Sequence, residues 1–299
     1  MHHTKILTII VTYNAMQWLK RCLNSLYSST IIPDIFVIDN GSIDGTQDFI
    51  RQHYSKITFL ESKENVGFGR ANNIGLMYAI KHEYKYVYLL NQDAWVDNNV
   101  FEKLIKLKEQ HSEYGILSPL QLTGDGTQLD KNFLFNVKEK RCSGLLKDLK
   151  THQEKDVYTT KFVMAAHWFL ATEDLKKVGL FSPAFKHYGE DGNLVARYKY
   201  WGYKIGVCPK ARAYHDRQYR TISPDKQMYL WFTAYLVAIN NPFNQNLLKP
   251  TIKYALNLLF FTKMAFPIRW GWFIKGLKEI KSGREYVKEY KKEGYMLNS

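Results

Sequence analysis

The sequence predicts an α/β protein: a mostly parallel sheet flanked by helices, followed by a helical C-terminal extension. Three observations carry this. Apolar runs of strand length alternate with helical periodicity through the first third of the chain. Those runs are nearly continuously apolar, as in strands covered on both faces. From Thr221 to Ser299 the pattern is helical, aromatic and basic.

Ile6–Val11 is the first apolar run, and Thr12-Tyr13-Asn14 ends it. Ala15–Tyr27 places Trp18, Leu19, Cys22, Leu23 and Leu26 at helical spacing. Ile35–Ile38 is again a strand, and Thr46–His53 is a helix after a Gly-Ser-Ile-Asp-Gly turn. Ile57–Leu60, Ala71–Lys81, Tyr86–Leu90 and Asn98–Gln110 continue the alternation. Successive strand–helix units imply parallel strands joined by crossover helices. The middle is less regular. Lys138–Lys155 is charged and weakly periodic, and reads as a mobile loop. Thr172–Val178 and Glu190–Tyr200 read as helices, and Lys204–Val207 as a strand. The expected organisation is a first half over 1–114, a second half of the same domain over 115–220, and the extension over 221–299.

At 299 residues the chain is long enough to bury a substantial core. Hydrophobic residues at 45% and charged residues at 23% exclude disordered, collagen-like and coiled-coil classes. The formal charge of +14 suggests a polyanionic partner: nucleic acid, phosphorylated ligand or anionic membrane. The extension carries 12 Lys+Arg against 5 Asp+Glu, half of that excess. Three widely spaced cysteines (Cys22, Cys142, Cys208) argue against a disulfide framework or cysteine zinc site. They fit a reducing compartment, so a cytoplasmic protein is expected. The apolar stretch Met228–Ile239 is about half of a bilayer span.

Polar clusters follow three of the strands: Thr12-Tyr13-Asn14, Asp39-Asn40-Gly41-Ser42 and Asn91-Gln92-Asp93. Ligands of open parallel sheets bind beyond the carboxyl ends of the strands, so the three should share one rim. Asp44 is well explained as a turn or cap residue. Asp39 is open to two readings, turn residue or acceptor for a base or ribose. The Gly-rich stretch Asn65-Val-Gly67-Phe-Gly69-Arg70 opens a helix, where exposed amides favour phosphate, or is a plain turn. It lacks a third glycine and follows the third strand, which excludes a dinucleotide-binding oxidoreductase. Asp93 is either a solvated strand-end acid or a ligand for Mg²⁺ or Mn²⁺ shared with substrate phosphates. Glu190-Asp191 either starts a helix or forms a carboxylate pair in which one member is a general base. His215 is unassigned by the residues alone, and His167 and His187 are given no role.

Taken in order, VTYN, IDNGSIDGT, NVGFGRANN, LLNQDA, GED and a later His resemble family 2 glycosyltransferases of the GT-A fold. The likeness covers roughly the first 215 residues, nearest to bacterial rhamnosyltransferase-like members that build surface polysaccharides. The resemblance implies that Thr12, Tyr13 and Asn14 line a nucleotide pocket and that Asp39 accepts from the pyrimidine. Asn65, Gly67 and Arg70 would hold ribose or diphosphate, with Gln92 and Asp93 also on the donor. Asp93 matches the last acid of the metal-binding DXD motif, whose first acid is here Asn91. His215 lies where relatives have a metal- or diphosphate-contacting histidine. Asp191 matches the catalytic base of the ED motif, with Glu190 its companion, and Trp201 a sugar-contacting position. One base without a second carboxylate nucleophile implies single displacement, hence inversion.

The implied reaction transfers a sugar from a UDP- or dTDP-sugar to a hydroxyl of a surface polysaccharide or lipid-linked glycan. The alternative, prompted by Asn91, is a catalytically impaired nucleotide-sugar-binding protein. A nucleic-acid binder has no recognised motif here, and none is expected as partner. No N-terminal Gly-rich Thr-Arg-Leu loop supports a nucleotidylyltransferase. Tyr254–Leu277 mixes Leu, Phe and Trp with Lys263, Arg269 and Lys275, so the tail either packs on the catalytic domain or lies peripherally on the inner face of an anionic membrane.

Overall fold

The structure, a computed structural model, describes residues 5–217, 221–244 and 246–297. The first third alternates as β1 (Ile6–Thr12), α1 (Met16–Tyr27), β2 (Asp34–Asp39), α2 (Thr46–His53), β3 (Thr58–Glu61), α3 (Phe68–Lys81) and β4 (Tyr86–Asn91). These strands are parallel, in the spatial order β3-β2-β1-β4. The order reverses between β1 and β4. Such a switch point leaves a crevice where crossovers depart to opposite faces.

The alternation of β1 shows both faces being filled. Leu7 and Ile9 point into a layer with Leu76 of α3, while Ile6 and Ile10 meet Leu19 and Leu23 of α1. A covered Leu or Ile contributes roughly 1.5–3 kcal/mol, so one register slip in β1 would forfeit several such contributions.

Past β4 the sheet becomes mixed. The elements are β5 (Ala94–Val96), α4 (Val100–Gln110), β6 (Tyr114–Thr123), α5 (Lys131–Asn136), α6 (Leu145–Thr151), β7 (Tyr158–Thr160), β8 (His167–Ala171), α7 (Thr172–Val178), α8 (Glu190–Tyr200) and β9 (Lys204–His215). β8 inserts antiparallel between β4 and β6. β9 runs parallel to β6 and carries β5 and β7 antiparallel. The sheet therefore runs through the expected 114/115 division, and β6 begins on Tyr114. The Lys138–Lys155 stretch is not simply a loop: it contains α6, and Cys142 and Leu145 bury beneath it. Leu145, Leu146 and Leu149 lie at helical spacing, but over a single turn and among so many charges the period is too short to stand out. β9 extends to His215 because a register shift opposite Pro119 and Leu120 absorbs the break that Pro209 makes.

The extension forms three helices, α9 (Pro224–Ile239), α10 (Leu248–Leu259) and α11 (Phe266–Tyr290). Their shared core holds Phe232, Tyr235, Tyr254 and Leu258, together with Phe185 of the preceding domain. The far end of the chain returns to α8. Arg197, fully buried, donates to the carbonyls of Val178 and Leu180. Its guanidinium lies 5.0 Å from the Tyr290 ring centre and 5.1 Å from that of Tyr295. The Leu180 amide donates to Tyr295 O, and Tyr290 Oη donates to Ser182 Oγ. Gly179, at φ +86°, tolerates this approach because a Cβ there would sit 2.2 Å from Tyr295 O.

Candidate active site

The three polar clusters do share one rim. β1 and β2 are locked by Asp39, which is fully covered. Its Oδ1 accepts from Gly41 N (3.1 Å), Ser42 N (2.8 Å) and Gln47 Nε2 (2.7 Å), and its Oδ2 from Thr12 Oγ1 (2.8 Å) and Ser42 Oγ (2.5 Å). With five donors and no exposed surface, Asp39 and Thr12 build the turn. Neither presents an open group to an incoming base, and one of the donors would have to leave first. Asn14 joins the same turn: its amide donates to Ser42 Oγ, and its Oδ1 accepts from Ile43 N. It holds φ +53°, which Asn tolerates better than most residues. Asp44 accepts from Met16 N and from Thr46, as a turn acid should.

The switch point between β1 and β4 is bridged by Gln92. Its Oε1 accepts from Tyr13 N (2.7 Å), and its Nε2 donates to Tyr13 O (3.2 Å). That pair of hydrogen bonds holds the Tyr13 backbone and leaves its ring 48% exposed beside the crevice.

Asp93 follows Gln92. Its Oδ1 lies 3.1 Å from His215 Nε2 at the end of β9. Burial alone would raise the Asp93 carboxyl, but the His215 hydrogen bond and the charge of Arg217 outweigh it and lower it. Arg217 Nη2 approaches His215 Nδ1 at 3.0 Å, and Arg217 Nε donates to Asp130 Oδ2. Arg217 has only protons to give, so Nδ1 accepts and the His215 proton sits on Nε2, facing Asp93. Both His215 ring nitrogens are thus engaged by protein partners, Nε2 by Asp93 and Nδ1 by Arg217. Among the described residues no group of three or more His, Cys, Asp or Glu could hold a metal. Asp93 alone remains: an anionic carboxylate, 22% exposed, which suits Mg²⁺ or Mn²⁺ held mainly by substrate phosphates.

The acidic pair opens α8. Gly189, at φ +91°, turns the chain into the helix, so Glu190 and Asp191 occupy its first turn. Asp191 accepts from Gly192 N (2.7 Å) and from the Ala165 amide. Ala166 O in turn accepts from Asn91 N at the end of β4, and the ring of His167 lies 6.2 Å from that of His215. Asp191 is therefore stitched, through three residues, to the rim that carries Asp93. Burial raises its carboxyl despite those hydrogen bonds. Glu190 is 7% exposed and its Oε2 has no partner. Burial, with Asp191 beside it, pushes the Glu190 carboxyl up to about 7.

The Asn65–Arg70 loop lies against this pair. Asn65 Oδ1 accepts from Gly67 N, and Gly67 is at φ +90°. A Cβ on Gly67 would fall 2.2 Å from Lys186 O, so no other residue fits unchanged. Arg70 is exposed in the first turn of α3, one residue beyond Gly69, whose position faces the Glu190 Cβ. A cleft of about 480 Å³ opens among Asn65, Gly67, Lys186, His187 and Tyr229 of α9. That size suits a small-molecule ligand. Trp201 is not here. It caps the opposite end of the 11-residue α8, about 16 Å along the axis, with Lys177 over its ring. The spacing from Asp191 left its direction unresolved, and a full helix separates the two.

Sequence reasoning missed Ser42, Gln47, Arg217, Asp130, Lys186 and Tyr229. Ser42 lay within a cluster already singled out. The others carry no spacing signal, since Asp130 and Arg217 are joined only by folding.

The family model "Glycosyl transferase family 2" matches residues 8–171, more than half of the chain. The chain is 24% identical over 245 residues to the low-salt glycan biosynthesis hexosyltransferase Agl10 of Haloferax volcanii, covering 80% of this chain and 76% of that one. It is 29% identical over 106 residues to glycosyltransferase GlyA of Streptococcus pneumoniae, covering 34% of this chain and 15% of GlyA. Among solved structures it is similar to GalNAc-T7 with UDP, GalNAc and Mn²⁺ (TM-score 0.67, 13% identity, 98% of this chain) and spans 55% of that longer chain. It is also similar to S. aureus TarS 1–349 in complex with UDP (TM-score 0.58, 16% identity, 96% of this chain and 89% of that one).

Proposed function

From the premise that this chain belongs to glycosyl transferase family 2 and has the GT-A fold, we propose an inverting transfer from a nucleoside-diphosphate sugar to a glycan hydroxyl. UDP is the favoured donor nucleotide because two similar solved structures hold UDP; dTDP is the alternative. The Tyr13 ring stacks on the base, and Asn65, Gly67 and Arg70 meet ribose and diphosphate. Asp191 takes the proton of the acceptor hydroxyl as its oxygen bonds the anomeric carbon and the bond to diphosphate breaks. Burial and the neighbouring Asp191 push the Glu190 carboxyl up to about 7, so the pair carries its charge on Asp191 and Glu190 stays protonated beside the base. Asp93 would hold Mg²⁺ or Mn²⁺ together with the donor phosphates, and a bound cation would offset the charge of the leaving diphosphate. Arg217 and Asp130 hold His215 in the tautomer that hydrogen-bonds Asp93, and so act as positioning residues.

The acceptor is a glycan, and a lipid-linked one is favoured. Tyr229 donates to His187 O beside the cleft, while its ring lies 6.2 Å from Trp272 of the basic extension. A single side chain thus spans cleft and tail. The name of Agl10 supports glycan assembly and a hexosyl unit; a deoxyhexosyl unit such as rhamnose is the second option.

One observation carries the reading: Asp93 and Asp191, far apart in sequence, are tied to the same end of β4. General-base catalysis contributes about 10²–10⁴-fold, so Asp191→Asn should lose at least 100-fold in turnover while a UDP-induced thermal shift persists. Near-normal turnover would refute the assignment. Asn91 in place of an acid favours one competing reading, a nucleotide-sugar-binding protein without turnover. Purified protein that is stabilised by UDP-sugars yet neither transfers nor hydrolyses them would establish it.

A further inference from the structure

No helix among the described residues is long and apolar enough to cross a membrane. Yet ten large apolar side chains between Phe243 and Leu277 are exposed. They are not scattered. On α10, Leu248, Ile252, Leu256, Leu259 and Phe260 recur at i, i+4, i+8, i+11 and i+12, one continuous stripe. Tyr254 and Leu258, on the opposite face, already fill the bundle core. On α11, Phe266, Trp270 and Leu277 form a second exposed stripe, with half-buried Phe273 packing against the bundle core beside it, while Gly276, Gly283 and Tyr290 are buried. Both helices therefore have one apolar face used by the fold and one left over.

The two stripes are held side by side. Arg269 donates to the carbonyls of Leu258 and Leu259 at the end of α10. Between the helices lies an apolar cavity of about 230 Å³ bounded by Leu256, Leu259, Phe266, Trp270 and Phe273. The charge around it has one sign. Between Asp225 and Glu279 the sequence contains no acid and seven Lys or Arg. Lys249, Lys253 and Lys263 are exposed along the edges of the stripes.

We propose that the α10–α11 hairpin seats this protein in the interface of an anionic lipid bilayer, apolar stripes inward and lysines at the headgroups. An aromatic and leucine-rich face edged by basic side chains is the chemistry of an interfacial helix. A second copy of this chain fits worse, because a two-fold interface would set a wholly cationic patch against itself.

Flotation of the full-length protein tests this independently of catalysis, with vesicles of phosphatidylcholine alone or mixed with phosphatidylglycerol. Binding is expected only to the anionic vesicles and should weaken with salt. Replacing Lys249, Lys253 and Lys263 together by Gln should lower partition about 100-fold, at roughly five-fold per cation. The pair Phe260→Asp and Trp270→Asp should abolish it, with unchanged melting and an unchanged UDP-induced thermal shift. Absent wild-type binding, or equal binding to both vesicle types, would overturn the proposal, as would binding that survives both sets of substitutions. A dimer in solution that the Phe260→Asp, Trp270→Asp pair dissociates, without vesicle binding, would assign the face to self-association instead.

Discussion

Replacing Glu190 by Gln should change how stability depends on pH. The Glu190 carboxyl is 7% exposed, leaves one oxygen unpartnered, and is pushed from its ordinary 4.5 up to about 7. Burial is the larger cause and the neighbouring Asp191 the smaller. An acid whose folded value is raised binds more protons folded than unfolded across that interval. Its contribution is therefore full below about 4.5 and is lost as pH rises to about 7. At 1.36 kcal/mol per pH unit, the interval corresponds to roughly 3 kcal/mol. Glutamine keeps the shape and cannot ionise, so the variant escapes that loss. Urea unfolding of wild type and Glu190→Gln at pH 5 and pH 8 should show the variant gaining roughly 2–3 kcal/mol relative to wild type at the higher pH. Equal pH dependence in the two proteins would refute the reasoning, and would mean that Glu190 is ionised at little cost. Catalysis supplies an independent readout. Because Asp191 is raised by burial and not by Glu190, the rise of turnover with pH should persist in the variant.

Gly67→Ala forces a Cβ into Lys186 O at a backbone angle that costs about 1–3 kcal/mol, so donor KM should rise and Tm fall by several degrees in a melting assay. Asp39→Ala strands five donors in a covered turn and should lower Tm by about 10 °C or prevent folding; unchanged Tm with lost UDP affinity would restore a direct role in base recognition. Trp201→Phe, at the far end of α8 and packed against the core with its Nε1 unpartnered, keeps the apolar contact and should leave kcat and both KM values within about two-fold; a selective rise in acceptor KM would return it to the pocket.

What could be read from the sequence follows physical lines. The parallel half announced itself because β1, β2 and β4 are doubly covered and so continuously apolar, while their crossovers keep a helical period. The polar endings of those strands gave the rim without any knowledge of relatives. Beyond Asn91 the signal fails for identifiable reasons. β8 follows loop residues without a turn signal, β6 contains Pro119, and β5 is only three residues long. The site divided similarly. Asp93 and Asp191 were legible as acids at element ends. That Asp39 is wholly taken up by its own turn was not, because Gln47 reaches back from the next helix. The tautomer of His215 depends on Arg217, and the place of Trp201 on the length of α8; neither follows from spacing. In the tail, composition showed aromatic and basic residues together, but only the burial of Tyr254 and Leu258 revealed that α10 has an apolar face to spare.

The clasp of Tyr290 and Tyr295 over Arg197 has a mechanical consequence. α11 is 25 residues long, about 37 Å, and bears Trp270 near one end and Tyr290 at the other. It is a strut whose foot stands in the outer hairpin and whose head grips the helix that begins with Glu190 and Asp191. Shortening the strut by a few residues, or tethering a bulky fusion directly behind Met296, would lift that grip and bare a buried guanidinium. The acids at the other end of α8 would then loosen, though no group near them had been altered.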